Sequence, residues 1–384
     1  MNFTSTIEIN RIAVRDNLKF AKEIFGKDVN ISSVVKANAY GHGLREFVSV
    51  VESCGINHYS VFSAPEARVV RSILKHTHTL MIMGWMSNND LEWAINEGIE
   101  FYVFCIDRLK FCIETAKNLG KKALIHLEVE TGMNRTGMPD KDLKNAADLI
   151  LLNGKYVSLA GLCTHYAGAE SIANYYRIQK QIKKFNSVHM ALGSWGLKPG
   201  IRHSACSAAA MTYPSTRMDM VRLGILQYGY WPSKETMVTY MSKKKETSDP
   251  LKQVITWKSE VMSVKTVKAG EFISYGTTYL AQEIKKIAII PVGYASGYSR
   301  SLSNSGRLLI HGQRVGVIGL VNMNMLIADV SSIDNVRPGD EVVIIGKQGE
   351  LVISVHSFSE MSDQLNYELL TRLPAGIPRK ITDS

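Results

Sequence analysis

Through the first two-thirds of the chain, short apolar runs alternate with stretches whose apolar positions recur every three or four residues. The short runs are ISSVV (31–35), HYSVF (58–62), TLMIM (79–83), EFYVF (100–104), ALIHLEV (123–129), VSLAGL (157–162), IRHSA (201–205) and DMVRLG (219–224). Their length and their content of β-branched and aromatic residues predict strands. Helical periods follow most of them. LREFVSVVESCG (44–55) keeps its apolar residues at helical spacing and stops at glycine. APEARVVRSILK (64–75) carries proline in its first turn, where the missing N–H costs nothing. NNDLEWAINEG (88–98) starts on capping residues and ends on glycine. Eight strand–helix units in about 230 residues predict an α/β fold, a TIM-like (β/α)8 barrel, for which ~250 residues is usual. An open doubly wound sheet produces a similar pattern. Neither G-x-G-x-x-G nor a P-loop appears in the first unit, which weighs against it.

The texture changes after PSKETMVTYMSKKKETSDP (232–250), a polar, proline-flanked segment that reads as a linker or surface excursion. Beyond it, QVITWKSEVMSVKTV, KIAIIPVGY, RLLI, RVGVIGLV, MLIADV and EVVIIG are punctuated by KAGE, SNSG, HGQ and RPGD. That is the pattern of a mostly-β C-terminal domain built from hairpins. The expected division is a barrel over 1–235 and a β domain over 250–384. The early strand TIEIN (6–10) precedes the barrel and is expected to join the C-terminal domain.

Composition narrows the class. The chain has 384 residues, 45% hydrophobic and 21% charged, enough for roughly two or three domains. MNFTSTIEIN has neither the basic start nor the apolar core of a signal peptide, and no apolar run approaches a bilayer span, so a soluble cytoplasmic protein without membrane partners is expected. Net charge is +10, but the lysines are scattered apart from KKKE (243–246). No zinc-finger spacing or aromatic RNA-binding signature accompanies them, which leaves a solvated basic surface, or a small anionic ligand, rather than nucleic acid. The five cysteines form no C-x-x-C pair and read as buried free thiols, with no metal site.

Candidate chemistry lies where barrel strands end and loops begin. Lys36 ends the first strand in SSVVKANAYGHG. Arg135 follows HLEVETGMN, His165 follows LAGLCT, Ser207 lies just beyond IRHSAC, and Arg222 sits within MVRLGI. Singly, each has an ordinary structural role; together they face one barrel mouth. A buried lysine beside cations loses its proton readily and can hold an aldehyde as a Schiff base. The last two units of such barrels often bind phosphate on backbone amides. Gly224 and Ile225 offer amides beside Arg222. A phosphorylated aldehyde held by lysine describes pyridoxal phosphate.

VVKANAYGHG resembles the cofactor-lysine motif of the alanine racemase family, the fold-type III pyridoxal phosphate enzymes. ETGMNRTGM, THYA, MVRLGI, SYGTTY and PVGYASG are similar to further family motifs, in order, along essentially the whole chain. The resemblance implies racemisation of L- and D-alanine by a homodimer with composite active sites, supplying D-alanine for peptidoglycan. It implies that Lys36 carries the cofactor and acts as one base, and that Tyr275 of the partner subunit is the other. Arg222 resembles the arginine at the pyridine nitrogen, and His165 the histidine that orients Arg222 and Tyr275. Tyr40, Ser207, Gly224, Ile225 and Tyr367 resemble phosphate contacts. Arg135, Met323 and Tyr294 resemble substrate-site residues.

The chain also departs from the family pattern. Glu128 stands where a carbamate-modified lysine is common. NMN (322–324) replaces a CMD-like triplet, and Leu320 a common arginine. These changes leave serine or broad-specificity racemisation open, whereas Tyr367 favours a small substrate pocket. A pyridoxal phosphate carrier without activity would resemble a lone barrel. A metal-assisted D-amino-acid aldolase would need ligands such as His42, His126 and His203, which show no metal-ligand spacing.

Overall fold

The computed structural model describes residues 4–245, 248–362 and 366–383. The chain forms two compact units. One contains residues 13–36 and 48–252; the other contains residues up to 12, residues 37–47, and those from 253 onward.

The second unit begins with β1 (Ser5–Asn10). The first unit is built on β2 (Asn30–Val34), β3 (His58–Val61), β4 (Thr79–Ile82), β5 (Glu100–Val103), β6 (Ala123–Glu128), β7 (Val157–Cys163), β8 (Ile201–His203) and β9 (Met220–Leu223). They form one parallel sheet in the order β8-β7-β6-β5-β4-β3-β2-β9. A parallel bridge from Cys206 to Arg222, and a 3.0 Å hydrogen bond from the Arg222 amide to the Ala205 carbonyl, bring its two ends together into a nearly closed barrel. Helices such as Leu44–Ser53, Ala64–Ile73 and Asn88–Asn96 form where the apolar spacing predicts them.

Strand alternation decides which side chains fill the barrel. Along β6, Ile125 and Leu127 share one face while His126 and Glu128 share the other, and all four are buried. The inward face is therefore polar on this strand. Space for the His126 ring comes from Gly161 on β7, paired with it in register. A Cβ at Gly161 would lie only 2.2 Å from His126 Nδ1. Met81, Tyr102, Cys163 and Met220 supply an apolar belt inside the barrel.

The second unit continues with β10 (Ile255–Glu260), β11 (Ser263–Val267), β12 (Lys285–Ile290), β13 (Arg307–Ile310), β14 (Gln313–Gly316), β15 (Leu326–Asp329), β16 (Glu341–Gln348), β17 (Leu351–Ile353) and β18 (Arg379–Thr382). One sheet runs β14-β13-β16-β10-β1-β18, with β17 on β16; a three-stranded sheet runs β11-β12-β15. TIEIN thus lies between β10 and β18, antiparallel to the first and parallel to the second.

Three features differ from the sequence reading. QVITWKSEVMSVKTV is not a hairpin, because β10 and β11 enter different sheets. Short helices at Val355–Ser362 and Asn366–Thr371, which the strand pattern does not announce, lie within the mostly-β domain. The expected linker carries a helix, Lys234–Lys244, whose N-cap Ser233 accepts a hydrogen bond from the Thr236 amide; residues 246 and 247 of that segment lie outside the described residues. No helix among the described residues is long and apolar enough to cross a membrane.

Candidate active site

At the C-terminal end of β2, the Val35 amide donates to the Ser60 carbonyl at 2.9 Å and the strand stops. Lys36 comes next, half-buried. Burial, then the charge of Arg135 and more weakly that of Arg222, lowers the affinity of its amine for a proton, with Glu66 opposing. Behind Lys36 the backbone turns left-handed for four consecutive non-glycine residues, Ala37, Asn38, Ala39 and Tyr40, with φ between 51° and 54°. Each such residue costs about 1–2 kcal/mol. Local bonds compensate within the second unit: the Leu44 amide donates to Asn38 Oδ1 at 2.8 Å, and the Gly43 amide to the Asn38 carbonyl at 3.0 Å. Gly41 cannot be replaced freely, since a Cβ there would lie 1.8 Å from the Leu370 carbonyl oxygen.

Arg222, buried on β9, is the most heavily bonded side chain of the barrel mouth. Nη1 donates to His203 Nδ1 at 2.6 Å and to the His203 carbonyl at 2.8 Å. Nη2 donates to the Thr164 carbonyl at 2.8 Å and the Ser204 carbonyl at 3.0 Å. These four bonds use all four Nη hydrogens. Among the described residues, the Nε–H remains the guanidinium's one donor without a hydrogen-bond partner.

His165 takes a lesser part in this arrangement than the sequence reading assigns it. Its Nδ1 lies 3.5 Å from Arg222 Nη2, at the limit of hydrogen bonding. The histidine that grips Arg222 is His203, from IRHSA, which the sequence reading treats only as an available metal ligand. Burial, reinforced by Arg222, Arg135 and Lys36, holds His165 neutral, with its pKa lowered to about 3. Glu128 is buried beneath the same mouth. Burial raises its pKa, against the opposing effects of a Thr136 hydrogen bond and of Arg222 and Arg135. Arg135 is exposed. Ser207 opens the short helix Ser207–Thr212, and its Oγ accepts from the Gly224 amide at 3.0 Å. Ile225 opens the next helical turn.

The structure therefore brings together Lys36, Arg135, His165, Ser207, Arg222, Gly224 and Ile225 around the barrel mouth. The remaining candidates lie in the second unit. Tyr40 and Tyr367 meet there, with ring centroids 6.0 Å apart. Tyr275, Tyr294 and Met323 are exposed. Among the described residues, no group of three or more His, Cys, Asp or Glu side chains is arranged to hold a metal ion.

Residues 9–232 match the family profile "Alanine racemase, N-terminal domain" and residues 254–381 match "Alanine racemase, C-terminal domain". The chain belongs to the alanine racemase family. It is an amino acid racemase, an enzyme of the isomerase class. Alanine racemase of Clostridium perfringens is 35% identical over 374 residues, covering 97% of this chain and 94% of that protein. The Leptospira interrogans alanine racemase is 32% identical, with 99% and 96% coverage. The Bacillus anthracis alanine racemase, solved with bound L-Ala-P, superposes with a TM-score of 0.90 at 28% identity, over 100% of this racemase and 96% of that chain.

Proposed function

We propose that this racemase interconverts L- and D-alanine using pyridoxal phosphate on Lys36, as a homodimer in which Tyr275 of the partner subunit completes each site. The observation that carries the reading is the pairing of Lys36, a lysine with a weakened hold on its proton, with Arg222, whose Nε–H is its only free donor among the described residues. When bound, pyridoxal phosphate supplies a carbonyl for an amine and an electron sink for charge released at the substrate α-carbon. The residues present fit it. Lys36 would hold it covalently, and Ser207 with the Gly224–Ile225 turn would meet its phosphate together with Tyr40 and Tyr367. Arg222 Nε–H would face the ring nitrogen.

Each residue's part follows from its chemistry. Arg222 donates a hydrogen bond but does not surrender a proton, so a ring nitrogen placed opposite it would stay unprotonated, which would moderate the electron sink. Lys36, as a neutral amine, removes or returns the α-proton on one face. Tyr275 serves the other face; it is 71% exposed in one copy and so is available to a second. Arg135 provides positive charge for a substrate carboxylate, and Met323 and Tyr294 would border the substrate. D-alanine so formed in the cytoplasm would serve peptidoglycan. Serine is a second candidate substrate, favoured by the exposed amide of Asn324 beside Met323.

Borohydride reduction of loaded protein, digestion and mass mapping should place the pyridoxyl label on Lys36. Racemisation assays over a panel of L-amino acids should give alanine the highest kcat/KM. A label elsewhere refutes the cofactor assignment, and faster serine turnover refutes the substrate assignment.

A further inference from the structure

Below Arg222 a chain of buried side chains runs down the inside of the barrel. His203 Nε2 lies 2.7 Å from His126 Nδ1, and His126 Nε2 lies 2.7 Å from Glu100 Oε2. Both imidazoles are completely buried, with ring centroids 4.9 Å apart. Glu100 is the first residue of β5, so it stands at the N-terminal end of the barrel, whereas Lys36 follows the C-terminal end of β2. Its carboxylate faces a cavity of about 1270 Å³ at that end, also lined by Arg15, Lys19 and His58. His58 Nε2 is 3.5 Å from the same oxygen, and its Nδ1 is held by Ser32 Oγ at 2.8 Å.

The direction of every hydrogen in this chain is determined by its ends. A guanidinium only donates, so His203 Nδ1 must be the bare nitrogen and Nε2 must carry the hydrogen. That hydrogen points at His126, so His126 Nδ1 is bare and its Nε2 carries the hydrogen. The second hydrogen points at Glu100, and an ionised carboxylate only accepts. Cation, two neutral rings and anion therefore agree without a clash. Reversing His203 would set donor against donor at Arg222; reversing His126 would set donor against donor at His203 and acceptor against acceptor at Glu100.

We propose that Glu100 is a positioning residue for racemisation: through His126 and His203 it fixes the tautomers that hold Arg222 as a donor with Nε–H aimed at the cofactor ring. The proposal rests on the function given above. Independent conditions favour it. Burial holds His203 and His126 neutral, so neither end is relieved by protonating a ring. Burial alone would raise the Glu100 carboxyl, but the hydrogen bond from His126 and the nearby His58 ring outweigh it and lower it to about 2. Gly161 leaves the His126 ring its place in the line.

The test compares Glu100→Leu, which removes the acceptor at similar size, with Glu100→Gln, whose amide oxygen still accepts. In cofactor-free wild type labelled with 15N-histidine, both His126 and His203 should show the Nε2–H tautomer. Glu100→Gln should keep it, and Glu100→Leu should give mixed tautomers. In loaded protein, Glu100→Leu should lower kcat about tenfold with little change in KM, as loss of an outer partner to a working histidine does, and Glu100→Gln should restore most of it. An Nδ1–H tautomer at His203 in wild type overturns the proposal whether or not the variants fold. Unchanged tautomers and kcat in Glu100→Leu overturn it as well. Absence of pyridoxyl label at Lys36 in wild type overturns the functional reading and the catalytic half of this one; a correct label with the wrong tautomers overturns this proposal alone.

Discussion

Gly161→Ala places a methyl group against the centre of the buried histidine line. The ideal Cβ lies 2.2 Å from His126 Nδ1, 2.6 Å from Cε1 and 3.1 Å from Cγ, so the ring must recede by roughly 1 Å to reach ordinary contact distance. It cannot recede freely, because hydrogen bonds of 2.7 Å hold both of its nitrogens, one to His203 and one to Glu100. At least one bond breaks. Overpacking costs about 1–3 kcal/mol. A lost bond to the carboxylate adds about 1.5–3 kcal/mol. The expected sum, about 2.5–6 kcal/mol, is a large part of the ~5–15 kcal/mol that holds an ordinary domain together. Gly193→Ala is the control: that glycine lies on an exposed helical surface, nothing is within 4 Å of its Cβ, and the change should gain up to about 1 kcal/mol. Urea unfolding followed by tryptophan fluorescence suits the comparison, since four of the five tryptophans (Trp85, Trp93, Trp195 and Trp231) belong to the barrel unit. A Gly161→Ala midpoint corresponding to less than about 1 kcal/mol of loss would refute the account of a clamped ring.

Other outcomes are equally specific. Tyr275→Phe should keep the yellow colour of cofactor-loaded protein and lose racemisation; full activity would remove Tyr275 from its role. Mixing inactive Lys36→Ala and Tyr275→Phe subunits under confirmed exchange should recover part of the activity, and no recovery would argue against shared sites. Wild type should lose stability as pH falls below about 4.5, the ordinary glutamate value, towards about 2, because Glu100 folds with a depressed pKa. Glu100→Gln should show a shallower loss over that window, and identical acid-unfolding slopes would contradict the assignment. Gly41→Ala meets the Leu370 carbonyl at 1.8 Å and should lower Tm far more than Gly98→Ala, where the backbone is also left-handed but nothing is close; equal shifts would be inconsistent with that crowding.

The barrel is legible in the sequence because parallel strands covered on both faces read as compact apolar runs, and each is followed by a helix with clear punctuation. Lys36 stands out for the same reason: a cation directly after ISSVV is conspicuous. His203 and Glu100 are not conspicuous. His203 sits between Arg202 and Ser204 in IRHSA and Glu100 merely opens EFYVF, and only strand pairing aligns them. The signal available was in ALIHLEV, where His126 and Glu128 alternate with Ile125 and Leu127, which announces a polar inward face. Reading it needs the register across β6, β7 and β8, and register is a long-range property. The two late helices were hidden by length, since six to eight residues hold too few turns to establish a period.

Residues 37–47 lie within the barrel's stretch of sequence yet belong to the unit completed by the C-terminal half. Arg379 Nη2 donates to the Gly41 carbonyl at 2.9 Å, and Tyr367 packs on Tyr40. A fragment cut at residue 252 would keep every barrel strand and still strip the peptide behind Lys36 of the neighbours that sustain its left-handed turn. The two units are thus interlaced along the polypeptide, and no single scission separates them.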